Sequence, residues 1–183
     1  MLSDFQLRQT KTGAGCFTKV FAPLKKSSLR EVILRQLQLE LARQTTAAEL
    51  ARDEAISEES QPENKWDTHS QEAAYLAEGQ SRLVTEIGAS LNAYATLPLH
   101  EFRPDEEIAI GAVVELESSD GKRTWYFLGP RAGGLEVEYE GRPLLVVTPQ
   151  SPLGRNLIGR RAGDQVQTGG RGAQASQRVI AIS

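Results

Sequence analysis

Two long stretches with apolar residues at helical spacing face each other across a strongly acidic turn. In the first, Leu29, Val32, Ile33, Leu37, Leu41, Ala48, Ala51 and Ala55 recur at three- and four-residue steps or their multiples. Large residues come first and alanines last. In the second, Ala73, Leu76, Ala77, Gln80, Leu83, Val84, Ile87, Leu91 and Tyr94 repeat the period in mirror order. Bulky side chains hold two arms apart at a base, and alanines let them approach towards a slim tip. The pattern therefore predicts an antiparallel helical hairpin over 28–97, each arm about 40 Å long at 1.5 Å per residue. Ser28 to Glu31 reads as a capping box opening the first arm, and Thr68 to Gln71 as one opening the second. Pro62, which cannot donate a backbone hydrogen bond, breaks the helical pattern between them.

After Leu97-Pro98-Leu99 the period changes. Residues 98–107 read as a linker, and from Ile108 onward short alternating runs predict strands. These fall at 108–117, 123–128, 135–139, 144–148, 164–168 and 179–182, with a short helix over 153–159. The fold class is α+β: a helical hairpin followed by a small, mainly antiparallel β domain over 108–183. Trp125, Tyr126 and Phe127 read as a mixture of core and half-buried strand residues. Residues 1–27 show no sustained period and read as a flexible N-terminal extension, basic through Arg8, Lys11, Lys19, Lys25 and Lys26 against Asp4.

Charge sharpens the picture at the hairpin turn. Asp53, Glu54, Glu58, Glu59, Glu63 and Asp67 crowd around Lys65 alone. Like charges so close cost stability, which suggests that a partner wants them there. The chain as a whole carries −3, with no general basic character for holding nucleic acid. Cys16 is the single cysteine, so no internal disulfide framework exists and a reducing cytoplasm is expected. No run suggests a membrane span. The histidines, His69 and His100, have no metal-ligand spacing, no nucleophile elbow or phosphate loop occurs, and Gly169-Gly170-Arg171-Gly172 reads as a turn. A self-contained enzyme is not expected. The apex carboxylates are hard oxygen donors suited to sharing a Mg²⁺ with a partner, or equally to forming a solvated acidic turn.

Ser151 to Val166, S-P-L-G-R-N-L-I-G-R-R-A-G-D-Q-V, resembles the C-terminal signature of the bacterial Gre-type transcript-cleavage factors. Glu63-Asn64 resembles the Glu-Asn pair at the Gre hairpin tip, and Glu78-Gly79 the Glu-Gly of the returning arm. The resemblance implies a coiled-coil hairpin that enters the secondary channel of RNA polymerase and an FKBP-like C-terminal domain that docks at its rim. It further implies a regulator of transcription elongation with no cofactor of its own. Its tip, with Glu63 assisted by Glu59 and Glu58, would help hold a Mg²⁺ of the polymerase for cleavage of backtracked transcripts. Asn64, Trp66 and Asp67 would be tip contacts. Ser151, Pro152, Arg155, Arg160 and Arg161 would be docking residues, with contact to nascent RNA and DNA only indirect and the factor monomeric. Ser60 departs from the pattern, standing where Gre factors carry an aspartate. A channel competitor without cleavage activity is therefore one alternative. A peptide-binding or isomerase-like module and a plain coiled-coil interaction protein are others.

Overall fold

The computed structural model describes residues 25–56, 69–103, 105–168 and 175–183. Residues 57–68, with Pro62 and Thr68 of the second capping box, residues 169–174 of the glycine loop and residues 1–24 lie outside the described residues, whereas Asp53 and Glu54 of the acidic run fall in the first helix.

Helix α1 spans Lys26–Ile56 and α2 spans His69–Ala95, and they pack along each other. Leu29 near the start of α1 and Tyr94 near the end of α2 share one core, so the arms run antiparallel. On α2 the covered seam is Ala77, Gln80, Val84, Ile87, Leu91 and Tyr94, alternating three- and four-residue steps. Leu76 and Leu83, expected on that stripe, are instead 53% and 42% exposed. Each lies one residue before a seam position, and a two-helix seam covers only the narrow a/d stripe.

Six strands follow: β1 Val113–Ser118, β2 Arg123–Leu128, β3 Glu136–Tyr139, β4 Arg142–Val147, β5 Gln165–Thr168 and β6 Ala175–Ile182. The short helix α3, Pro152–Leu157, lies between β4 and β5. They form one sheet in the order β3-β4-β2-β1-β6-β5. All neighbours are antiparallel except β2 and β4, which pair in parallel. Alternation sends Val113, Phe127, Leu144 and Val146 to one face, and Val114, Leu116, Leu128 and Val147 to the other. The first face packs on Leu29, Ile33, Leu37, Tyr94 and Leu97 of the hairpin base. The second packs on Leu157 of α3, Ile108 and Phe102. The result is three layers, with the sheet in the middle. Trp125 and Tyr126 are half-buried and Phe127 buried.

Two expectations need correction. The first strand does not start at Ile108. Residues 109–112 form a turn through Gly111 at φ +96°, and Ile108 exchanges backbone hydrogen bonds with Gly159 and Arg160 instead. The first helix starts at Lys26, ahead of the Ser28 capping box, because tertiary contacts extend it. The Lys26 ammonium donates to the His100 carbonyl and lies 4.3 Å from the Phe102 ring centroid. The Tyr139 hydroxyl donates to the Lys25 carbonyl at 3.1 Å. The described residues of the 98–107 linker carry neither helix nor strand; Arg30 donates to the carbonyl of Leu97 just before it at 3.3 Å, and His100 and Glu106 within it meet at 2.9 Å.

Candidate functional site

The residues singled out in the sequence fall into two groups. Glu58, Glu59, Ser60, Glu63, Asn64, Trp66 and Asp67 all belong to the apex and lie outside the described residues. The arms that lead to it end at Ile56 and His69. On the returning arm Glu78 is exposed and pairs with Arg82 at 2.6 Å, one helical turn on. Gly79 is exposed, with no atom within 4 Å of where a side chain would begin. Packing does not require a glycine there, and a bare glycine in an exposed helix costs about 1 kcal/mol relative to alanine.

The second group surrounds α3. Ser151 caps the helix: its hydroxyl accepts from the Gly154 amide at 3.0 Å and donates to the Thr148 carbonyl at 2.8 Å. Pro152 takes the first helical turn, where its missing N–H is harmless. Gly154 is buried so tightly that an added Cβ would lie 1.9 Å from the Thr148 carbonyl oxygen. Leu157 is fully buried, and Gly159 and Gly163 adopt φ of +74° and +95°. Most of the S-P-L-G…L-I-G…G-D pattern is thus explained by one tight turn, one short helix and their attachment to the sheet. The arginines are what this scaffold displays. Arg155 is exposed and pairs with no carboxylate among the described residues. Arg160 reaches only the Asn156 carbonyl, at 3.4 Å, whereas Arg161 pairs with Glu107 at 2.9 Å.

A lock joins hairpin to sheet; the sequence marked Tyr94 only as a stripe residue and gave no sign of its partner Gly129. Tyr94 is fully buried and its hydroxyl donates to the Arg131 carbonyl at 2.9 Å, across from Gly129. A Cβ on Gly129 would stand 2.1 Å from that hydroxyl. Burial raises the Tyr94 phenol well above its ordinary value. Burial also pushes the Lys26 ammonium down to about 8, partly opposed by Glu101 and Glu106. Glu106 is held below the usual carboxylate range, first by its hydrogen bond to His100 and then by the Arg103 backbone amide.

Two open grooves flank the lock. One, about 520 Å³, runs between the arms and the β2–β3 loop, with Leu37, Leu83, Ile87, Pro130 and Ala132 along it. The other, about 560 Å³, lies beside α3, with Leu145, Val147 and Leu153. Neither is lined by an aromatic side chain, contrary to what the isomerase-like alternative requires. Among the described residues no cluster of three or more His, Cys, Asp or Glu side chains could hold a metal ion, and no helix is long and apolar enough to cross a membrane.

Residues 103–183 match the sequence model of the family described as transcription elongation factor, GreA/GreB, C-terminal domain. This match assigns residues 103–183 to that domain family. The match covers the whole sheet and α3, including the signature around Ser151. The domain match points to a transcription elongation factor associated with RNA polymerase. No curated protein sequence matches the chain significantly. Among solved structures it is similar to GreA factor homolog 1 (Gfh1) of Thermus thermophilus, at 20% identity over 82% of this chain and 94% of that one, TM-score 0.35. Gfh1 of Thermus aquaticus gives 23% identity over 87% and 96%, TM-score 0.36. A GreA/GreB factor of Nitrosomonas europaea gives 18% over 57% and 79%, TM-score 0.34. The Gre-type assignment rests on the domain match, not on these scores.

Proposed function

We propose that this Gre-type chain binds RNA polymerase as a monomer, docking its C-terminal domain at the rim of the secondary channel while the hairpin carries the acidic apex inward. The observation that carries this reading is the family match over 103–183, in a domain whose core also contains the hairpin base. A rod built into the docking domain delivers its tip to a defined place. Exposed Arg155, on the short helix held by Ser151 and Pro152, and Arg160, just beyond it, supply charge for docking, and Arg161 contributes through its pair with Glu107. At the apex, Glu63 is the carboxylate aimed at the polymerase active centre, with Glu58 and Glu59 assisting and Asn64, Trp66 and Asp67 lining the approach. A Mg²⁺ of the polymerase, when bound, would polarise the scissile phosphate and lower the pKa of the attacking water. The chain itself needs only to present oxygen ligands and acts as an accessory factor in the cytoplasm, touching RNA and DNA indirectly.

Ser60 favours a second reading. With serine where Gre factors carry an aspartate, one of the two matched metal-directed carboxylates is missing, and ligand placement must hold to about 0.5 Å. The chain would then occupy the channel and compete with cleavage factors. One experiment separates the two. Transcript 3′ cleavage by a backtracked polymerase complex is measured for wild type, Glu63→Gln and Ser60→Asp over a Mg²⁺ series. The cleavage reading expects activity in wild type that Glu63→Gln lowers and Ser60→Asp raises. The competitor reading expects no cleavage from wild type and displacement of an authentic Gre factor. Failure to bind polymerase at all overturns both.

A further inference from the structure

Helix α2 closes its seam with α1 through one face and leaves a second face open. On a helix surface, residues i, i+3, i+4 and i+7 outline a hole that a side chain from a neighbouring helix can fill. Two such holes stand end to end on the open face. Leu76, Gly79, Gln80 and Leu83 outline the first, and Leu83, Glu86, Ile87 and Ser90 the second. We propose that these holes receive an amphipathic helix of RNA polymerase, lying along α2 and against the β2–β3 loop, residues 129–135, when the hairpin enters the channel. The inference rests on the proposed function and adds the face of the rod that the partner covers.

Both holes are formed in the free chain. Leu76 and Leu83 are 53% and 42% exposed, and Gly79 between them has no atom within 4 Å of an added Cβ. The first hole is thus walled by two leucines and open at its waist. The second is deeper. Its four residues line the groove of about 520 Å³, with Pro130 and Ala132 opposite. The Ser90 hydroxyl in it is already satisfied, donating to the Glu86 carbonyl at 2.9 Å. The loop wall is fixed to the same helix, because the Tyr94 hydroxyl donates to the Arg131 carbonyl at 2.9 Å. A preformed site loses little freedom when its partner arrives.

Spacing and charge name the occupant. The holes repeat after seven residues of α2, about 10.5 Å at 1.5 Å per residue. Side chains seven apart on a facing helix meet both holes. On an extended strand, side chains of one face recur about every 6.6 Å and miss one of them. Glu72 and Glu86 are exposed and lie seven residues either side of Gly79, on the same strip of the helix. Arg131 stands on the opposite wall of the groove. The partner helix therefore carries large apolar side chains seven residues apart, basic residues on its α2 side and an acidic residue towards the loop. A second copy of α2 laid on this face would set glutamate against glutamate, which disfavours self-pairing.

Binding of the full-length chain to RNA polymerase core enzyme is measured by bio-layer interferometry, and the mass of the free chain by sedimentation. Gly79→Leu fills the first hole, and Leu83→Gln removes the apolar wall that both holes share. Each should raise Kd about ten-fold or more while melting no lower than wild type. Leu39→Gln and Leu50→Gln, at exposed leucines of α1, should leave Kd unchanged. p-Benzoylphenylalanine in place of Leu76 should cross-link to one helical segment of the polymerase. Wild type that fails to bind overturns the proposed function and this inference with it. Wild-type affinity in both α2 variants, equal losses in the α1 variants, or cross-links confined to non-helical segments overturn this inference alone. A free chain that sediments as a dimer, and as a monomer after Leu83→Gln, makes the occupant a second copy and overturns it too.

Discussion

The base and the upper half of the hairpin are built from similar helices but behave as different materials. At the base, Leu29, Ile33 and Tyr94 are fully buried and belong to the same core as the sheet. Higher up, Leu50 is 66% and Tyr75 73% exposed, and Ala51 is the large-scale exception, buried because it is small enough for the seam. The base is therefore part of a globular domain. Among the described residues, the upper arms are a two-helix rod packed on each other. Stability resides where three layers meet, whereas the acidic apex is carried on the part with the least packing. Under the proposed function, that division suits an element that enters the polymerase channel without taking the fold with it.

The comparison breaks most decisively at Tyr94. Tyr94→Ala removes a fully buried ring and the hydroxyl bond to Arg131, and should cost about 3–5 kcal/mol in urea unfolding. Leu50→Ala, on the rod, should change stability by no more than about 0.5 kcal/mol. Equal effects at the two positions would refute the distinction. Gly154→Ala tests the α3 turn, since its Cβ meets the Thr148 carbonyl. It should cost about 1–3 kcal/mol and weaken polymerase binding in a pull-down, with little effect on the helical signal of the arms.

Lys26 gives a smaller, pH-dependent contrast. Its proton leaves the folded chain near pH 8 but stays on the unfolded chain until about 10.5. Between those values the unfolded state binds more protons, so stability rises with pH. Relative to Lys26→Met, wild type should gain stability as pH is raised from 8 to 9.5, measured by urea midpoints; a flat difference would place the ammonium in solvent. The smallest effect is expected at Gly79 on the rod. Gly79→Ala should stabilise the chain by about 0.5–1 kcal/mol. Under the proposed function it should nonetheless weaken channel entry, because the missing side chain leaves room for close approach by the partner. Stabilisation with unchanged polymerase affinity would show the glycine to be incidental.

Much of this was legible in the residues because it rests on short-range interactions. The two arms follow from a 3.6-residue period, and β2 from the β-branched and aromatic run T-W-Y-F. The α3 turn follows from a serine cap, a proline and a glycine within four positions. The Gre-type signature was legible for the same reason, since it encodes a local turn and helix. The apex carboxylates and the Ser60 departure are likewise statements about sequence alone. What only the tertiary structure decided involves partners distant in the chain. Lys26 is buried because residues 74 positions away supply a carbonyl, and α1 starts early for that reason. The parallel pairing of β2 with β4 places β3 at the sheet edge, beside α1. Leu76 and Leu83 stay exposed because the two arms close a seam too narrow to cover them. Tyr94 and Gly129 form a lock only when helix and sheet are brought together, and the neighbouring groove exists only between them. Periodicity records which face of an element is apolar; which surface that face meets is settled by packing, where shape and the satisfaction of each buried polar group select one arrangement.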